Sequence, residues 1–196
     1  SLTNVTGANC CSYMFNGCTG ITSINLSSLT TISLGTQSCY SMFNGCTGIT
    51  SVNLHSLTTI SAENGCYYMF NGCTGITSVD LSGLTTISGS NACFGMFYGC
   101  RQITSITFDN LIALTGNYAL NQMFRNCTSL ASISFPALKT TSFGSNTVQF
   151  NNFIQGISGC VLHFPSNLSA TVSGLSGYPN FGGSNTSVLF DLPATE

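Results

Sequence analysis

The chain has 196 residues and a formal net charge of −2, and only 4 % of its residues are charged. Soluble domains usually carry about 25 % charged residues, so hydroxyl and amide groups must form most of this surface. Lys and Arg together number three, too few to neutralise a phosphate backbone, which excludes nucleic acid as a partner.

The most informative pattern is the segment Met-Phe-x-x-Cys, which recurs along the chain at a nearly constant interval. A fixed period of about 20–50 residues indicates a stacked array of similar coils. One coil cannot bury its apolar side alone, so we expect identical positions to stack on one another in the interior. The five copies begin at Met14, Met42, Met69, Met96 and Met123.

Each copy predicts the same elements in the same order. In residues 39–46, Cys39, Met42, Phe43 and Cys46 follow the i, i+3, i+4, i+7 spacing of one helix face, so two helical turns are expected. The alternation in residues 24–26 predicts a half-buried strand, and residues 29–32 predict a second short extended segment. Stacking of the copies then places the strands in a parallel sheet.

The stretch Phe-Asn-Gly-Cys-Thr-Gly-Ile-Thr-Ser-Val-Asn-Leu at residues 43–54 resembles the BspA-type leucine-rich repeats of bacterial surface proteins. Those repeats follow the approximate pattern aromatic-x-x-Cys-x-x-Leu-x-x-Ile-x-Leu. The resemblance covers residue 2 to about residue 165, although few copies have the Pro that the family often places after the strand. It implies an α/β, right-handed leucine-rich-repeat solenoid of about six coils, with a period of about 27 residues that lies in the range of such arrays. A parallel sheet would cover one face and short helices the other.

The two ends differ from the repeat. Residues 1–165 are predicted to form the array, which starts midway through a repeat, because residues 2–5 align with residues 29–32. We interpret this start as a fragment of a longer surface protein, with end-to-end self-association as the alternative. Residues 166–196 are predicted to form a C-terminal capping segment, as a terminal repeat requires. No apolar run approaches the roughly 18 residues of a membrane-spanning helix.

Eleven cysteines raise the question of disulfides. Four copies carry Cys-x6-Cys, and seven residues rise about 10.5 Å along a helix, which exceeds the reach of a disulfide. Leu120 replaces one of these cysteines, which indicates an apolar packing position. We predict buried free thiols, with disulfides between adjacent coils as the open alternative. Without Cys-x2-Cys and with two His, no metal site is expected.

The outward positions of the predicted strands form polar ladders. The sheet face is the usual binding face of leucine-rich repeats, so these positions are the first candidate binding site; plain solvation of a strand face is the alternative. Asp80 and Asp109 are near enough in register to form a carboxylate pair, but other copies carry Asn, Thr or Ser there, which favours drift among polar residues. The candidates are Ser23, Asn25, Ser51, Asn53, His55, Ser78, Asp80, Ser105, Thr107 and Asp109.

A second candidate site is a row of aromatic residues along one edge of the array. Exposed aromatic rows stack on sugars or anchor protein partners, whereas packing of one coil on the next is the alternative. The residues are Tyr13, Tyr40, Tyr67, Tyr68, Phe94 and Tyr98.

Nothing in the chain has the spacing of a catalytic motif, and the glycines lack the lysine of a phosphate loop. We therefore predict a protein that is not an enzyme and uses no cofactor. The leading hypothesis is an extracellular or cell-surface, adhesin-like module that binds a protein or a neutral glycan. The alternative is a structural spacer in a larger surface or phage-fibre protein. A ladder of Thr30, Thr58 and Thr85 also raises ice binding as a minor third hypothesis.

Overall fold

The computed structural model describes residues 2–139, 141–143 and 148–195. These residues form a parallel β-solenoid of about seven turns of about 27 residues, which confirms the predicted solenoid. The strands are β1 (Asn4–Val5), β2 (Thr31–Ile32), β3 (Ser51–Asn53), β4 (Thr59–Ile60), β5 (Ser78–Asp80), β6 (Thr86–Ile87), β7 (Ser105–Thr107), β8 (Ala113–Leu114), β9 (Ser132–Ser134), β10 (Val161–Pro165) and β11 (Ser187–Leu192).

Two faces of the solenoid carry strands. The short strands of the Leu-Thr-Thr-Ile position form one sheet in the order β1-β2-β4-β6-β8. The strands of the Ser-Val-Asn position form the second face, called here the sheet face, where β3 pairs with β5 and the order β7-β9-β10-β11 forms a separate sheet. All pairings are parallel, and equivalent residues of neighbouring copies pair in register, as Val52 does with Val79.

The repeated apolar columns form the core, as predicted. Four of the five Met-Phe methionines are buried, whereas Met14 is 53 % exposed. The prediction that all five lie inside is therefore wrong for Met14. The first coil has a stacked coil on one side only, so Met14 lacks the second neighbour that covers the other four.

The predicted short helices of the repeat are absent from the described residues 39–46, which form consecutive turns. Left-handed residues recur at every fourth position, as at Gln37 (φ 59°), Ser41 (φ 50°) and Gly45 (φ 72°). A right-handed helix cannot contain such residues at regular intervals. The spacing of the apolar residues suits both conformations, because a chain that turns back every four residues also places i, i+4 and i+7 on one side.

These turns, at residues 9–18, 37–46, 64–73, 91–100 and 118–127, are called here the turn ladder. Alternate backbone N–H groups donate to carbonyl oxygens of the next coil. Cys39 donates to the Gly65 carbonyl and Ser41 to the Tyr67 carbonyl, both at 2.8 Å. The N–H groups between them close turns within their own coil, as Met42 does to Cys39. A helix would use all its N–H groups internally, whereas this arrangement joins every coil to its neighbour.

All eleven cysteines lie in the described part of the chain, carry free thiols, and are buried except Cys10 and Cys18. The column that ends the turn ladder has a structural role that the sequence did not indicate. Its thiols donate to the carbonyl oxygen of the Phe in the preceding coil, for example Cys73 Sγ to Phe43 at 3.0 Å. Cys46, Cys100 and Cys127 make the equivalent contact.

The C-terminal segment adds one more rung to the about six coils predicted. After a 3₁₀ turn, helix α1 (Ser169–Ser173), the one α-helix among the described residues, buries Val172, and β11 pairs in parallel with β10. Phe181 packs against Phe150, with ring centroids 5.4 Å apart. No helix among the residues described is long and apolar enough to cross a membrane.

Candidate binding site on the sheet face

All ten sheet-face residues predicted from the sequence are exposed. Six of them lie on strands β3, β5 and β7, and the strand geometry points their side chains outward because each alternates with a buried or half-buried apolar residue. The strand predicted at residues 24–26 is absent from these described residues, so that prediction is wrong for the first coil, and Ser23 and Asn25 lie in a segment without regular structure. They line a separate, mostly apolar pocket of about 450 Å³ beside Leu2, Met14 and Ile24.

The sheet face is interrupted between β5 and β7. These strands belong to different sheets, and no backbone hydrogen bond joins residues 77–81 to residues 104–108. The coils are joined on either side of the gap, by the Cys100 thiol on the Phe70 carbonyl at 3.2 Å and by Asn110 Nδ2 on the Ser82 carbonyl at 2.7 Å. The opening is therefore confined to the strands themselves.

This opening, called here the cleft, has a volume of about 440 Å³. It contains five of the predicted site residues, which come from two consecutive coils. Its lining residues are Thr77, Ser78, Val79, Asp80, Leu81, Thr104, Ser105, Ile106, Thr107 and Asp109.

The cleft lies where the buried column behind the strands changes residue. Up to the third coil this column holds Leu, ending with Leu81, and in the fourth and fifth coils it holds Phe108 and Phe135. The two rings stack with centroids 4.9 Å apart, and Phe108 also meets Phe124 edge-on at 6.5 Å. The stacked rings of Phe108 and Phe135 lie behind β7 and β9, which are paired, whereas this column has Leu81 at β5.

The cleft is negatively charged. Hydrogen bonds from the Ser82 side chain and from its backbone N–H hold the pKa of Asp80 below its ordinary value, so this carboxylate stays ionised at neutral pH. Within the described ranges, the one contact at salt-bridge distance joins His163 Nδ1 to the Asp191 carboxylate at 2.8 Å. No Lys or Arg in the described part of the chain pairs with Asp80 or Asp109, and the nearby His55 side chain contributes to the lowered pKa of Asp80.

The ladder of Asn25, Asn53 and Asp80 on the sheet face also has a local structural role. The side-chain oxygens of Asn25, Asn53 and Asp80 each accept a hydrogen bond from the backbone N–H two residues later, at 3.0–3.1 Å. This is the Asx turn that Asn and Asp favour, and at Asn53 and Asp80 it ends strands β3 and β5. The Asn or Asp at this position was visible in the sequence, but the ladder was interpreted there only as a surface.

The aromatic edge is a continuous stack. The rings of Tyr40 and Tyr67 lie 4.9 Å apart and nearly parallel, and Phe94 follows Tyr67 at 4.5 Å. Tyr68 meets Tyr67 edge-on at 4.8 Å and Tyr98 at 6.1 Å. Apart from Tyr13, which is 55 % exposed, these rings are half-buried. They therefore pack between coils and remain partly accessible to solvent.

Sequence reasoning missed the residues that extend the aromatic edge into a pocket. Asn71, Gln122 and Arg125 lie beside Tyr68 and Tyr98 around a volume of about 320 Å³. The sequence pattern that could have indicated this pocket is one position of the repeat, which holds Asn in the first three copies, Tyr98 in the fourth and Arg125 in the fifth.

No group of three or more His, Cys, Asp or Glu residues among those described is placed to hold a metal ion. The burial of the cysteines also opposes thiolate chemistry. Burial raises the pKa of Cys73 and of Cys127 to about 12, so these thiols stay protonated at neutral pH.

The parallel coils, the buried Phe and Cys columns and the polar sheet face define a leucine-rich-repeat solenoid. A family model described as "BspA type Leucine rich repeat region" matches the chain in six copies, over residues 6–122 and 40–169. The chain therefore belongs to the BspA-type leucine-rich-repeat family. No curated protein and no solved structure matches it significantly.

Proposed function

We propose that this chain is a non-catalytic binding module, secreted or displayed at the cell surface, and that the cleft is its binding site. The observation that carries this proposal is the interruption of the sheet between β5 and β7. In a regular spacer every rung would pair with the next. Here two strand edges, five predicted site residues and two carboxylates without an ion pair in the described ranges meet around one opening.

The chemistry of the cleft favours a protein ligand. Strand edges that are not paired offer backbone groups to an extended segment of a partner, which is how many domains recognise peptides. Asp80 and Asp109 would attract Lys or Arg side chains on that segment. A neutral glycan that hydrogen-bonds to the cleft hydroxyls is the other ligand class, and the experiment below separates the two.

Other features support a surface role without catalysis. The BspA-type family is associated with bacterial surface proteins. The residues that line the cleft include no His, Cys or Lys, so it offers two carboxylates but none of the usual nucleophile and base pairs. The ice-binding hypothesis loses support, because Thr58 and Thr85 each donate their hydroxyl to a backbone carbonyl of the preceding coil at 3.0–3.1 Å.

The test is a comparison of binding to a panel of immobilised extracellular-matrix proteins and to a neutral glycan array. The double variant Asp80→Asn, Asp109→Asn removes both charges and keeps an acceptor for the Ser82 N–H. We expect it to weaken any protein bound by at least about tenfold, as loss of charged hydrogen bonds does, with an unchanged melting temperature. Thr107→Arg, which fills the cleft, should weaken a protein or a glycan alike.

Glu63→Gln is the matched control, because it removes one negative charge at an exposed position that does not line the cleft. It should leave binding unchanged. If the cleft variants and Glu63→Gln have the same effect, binding depends on net charge alone. If the unmodified chain binds nothing on either panel, the structural spacer becomes the better interpretation.

A further inference from the structure

A second pocket lies on the turn ladder, and its residues are all distinct from those of the cleft. It has a volume of about 320 Å³, at the lower end of the range for small-molecule sites, about 300–1,000 Å³. Its lining residues are Tyr68, Asn71, Tyr98, Gln122 and Arg125.

The pocket exists because several residues depart from the repeat at the same place. Asn71 continues an asparagine ladder, donating Nδ2 to Asn44 Oδ1 at 2.9 Å. The ladder ends there, since the next two coils carry Tyr98 and Arg125. A Cβ at Gly95, which follows Tyr68 in their shared column, would collide with the Tyr68 ring.

Gly95 has a left-handed φ of 55°, but Tyr68 and Gln122 adopt the same conformation in this column with a side chain (φ 52° and 55°). The backbone alone therefore does not require Gly95. What requires it is the Tyr68 ring that lies over it. The changes at positions 68 and 95 thus depend on each other, and together they open the space that the ring borders.

Arg125 supplies an uncompensated positive charge. Its guanidinium lies over the Tyr98 ring, 5.4 Å from the centroid, and Nη1 donates to Gln122 Oε1 at 3.2 Å. Its Nε is buried and has no hydrogen-bond partner among the described residues. No carboxylate in the described ranges forms an ion pair with it. A guanidinium that has no carboxylate partner can donate to a ligand oxygen from its terminal nitrogens, where a charged hydrogen bond is stronger than a neutral one.

The rest of the pocket offers both donors and acceptors. Gln122 uses its oxygen on Arg125, which leaves its amide N–H groups available, and Asn71 uses its N–H on Asn44, which leaves its oxygen available. The Tyr98 hydroxyl accepts from Asn126 Nδ2 at 3.2 Å. The rings of Tyr68 and Tyr98, at an interplanar angle of 87°, provide the apolar walls.

We propose that this pocket binds a carboxylate-bearing sugar, such as a uronic acid or a sialic acid at the end of a glycan. Arg125 would pair with the carboxylate in the bidentate manner that guanidinium groups favour. Gln122 and Asn71 hydrogen-bond to the hydroxyls, and a tyrosine ring covers the C–H face of the sugar. This site is independent of the cleft and of its protein ligand.

The experiment is a titration of the 196-residue chain with glucuronic acid, galacturonic acid and N-acetylneuraminic acid, followed by NMR or calorimetry. We expect binding at sub-millimolar to millimolar Kd, as about one charged pair and a few hydrogen bonds support. Glucuronamide, which has the same ring without the charge, should bind at least about tenfold more weakly. Arg125→Gln should weaken glucuronic acid to the same extent.

Arg101→Gln is the matched control, because it removes the same charge at an exposed residue outside the pocket and should leave Kd unchanged. Arg125→Lys keeps the charge but not the planar fork, so we expect an intermediate Kd. Melting temperatures show whether each variant is folded. Tyr68→Phe tests the hydroxyl alone, and Tyr68→Ala tests the ring.

Three results would overturn the proposal. Equal weakening by Arg101→Gln and Arg125→Gln would mean a charge effect without a site. Acetate that binds as tightly as glucuronic acid would mean that the sugar ring is not recognised. Loss of acidic-sugar binding in the Asp80→Asn, Asp109→Asn variant would place the sugar in the cleft, a result that leaves the proposed cleft function standing and removes this second site.

Discussion

The turn ladder and the sheet face are built from the same repeat, yet only one of them is continuous. In the turn ladder, alternate N–H groups join each coil to the next from Cys11 to Asn126. On the sheet face the backbone pairing begins only at β3, stops at β5 and resumes at β7. One side therefore holds the stack together, and the other is free to open without separating the coils.

The difference arises from what lies behind each face. Behind the turn ladder the Phe column stacks ring on ring at 5.2–5.7 Å from Phe15 to Phe124, and the thiol contacts reinforce it. Behind the sheet face the buried column changes from Leu81 to Phe108. The opening between β5 and β7 lies where residue size in this column changes, whereas the step from Leu26 to Leu54 also lacks paired strands although both residues are Leu.

The largest expected effect is the loss of the whole stack at alkaline pH. Burial raises the pKa of Cys73 and Cys127 to about 12 and that of Cys160 to about 11, from an ordinary 9.0. Below pH 9 these thiols are neutral in both states. Above it the unfolded chain loses protons that the folded chain keeps, so stability falls by up to about 1.4 kcal/mol per thiol and pH unit.

We expect the melting temperature, measured by circular dichroism with a reductant present, to fall steeply between pH 9 and pH 11. The double variant Cys73→Ala, Cys127→Ala should show a shallower fall. A melting temperature that stays constant over this range would mean that the thiols are not buried as the structure shows.

Phe70→Ala should produce the next largest effect. Its ring stacks on Phe43 and on Phe97, 5.4 Å from each, and removal of a buried phenyl ring typically costs about 3–5 kcal/mol. Phe15→Ala is the control in the same column, because Phe15 is half-buried and stacks on Phe43 alone. Urea unfolding should give a clearly smaller loss for Phe15→Ala; equal losses would contradict a stack that transmits defects through the interior.

Cys73→Ala isolates the thiol contact of the turn ladder. The variant loses the hydrogen bond to the Phe43 carbonyl at 3.0 Å and a buried sulfur, for which we expect about 1–2 kcal/mol. Cys18→Ala, at the exposed end of the same column, should change the free energy of unfolding by less than about 0.5 kcal/mol. If the two variants lose similar amounts of unfolding free energy, the buried thiol contact of Cys73 does not stabilise the fold more than the exposed Cys18 does.

Phe108→Leu tests why the sheet face opens. Restoring Leu to this column should let β7 pair with β5 while costing about 1 kcal/mol for the smaller side chain. Amide hydrogen exchange should then slow at residues 105–107 and stay unchanged at residues 132–134, which form β9 and are already paired on both sides, with β7 and with β10. If exchange at residues 105–107 does not slow, the opening has another cause than the Phe108 ring.

The sequence by itself determined the period, the buried columns and the outward position of the ten sheet-face residues. The physical reason is that a coil buries its apolar side only when equivalent residues recur at a fixed interval, and this interval is visible in the chain. The sequence was misleading at Met14, because burial there needs a neighbour on both sides.

Only the tertiary structure decided the remaining features. The apolar spacing of residues 39–46 suits both a helix and the turn ladder, and the choice depends on N–H groups that donate to the neighbouring coil. The cleft depends on which strands pair across coils, as β3 does with β5 but β5 does not with β7. The pocket at Arg125 depends on Tyr68, Gly95 and Tyr98 in two other coils, which the local sequence does not bring together.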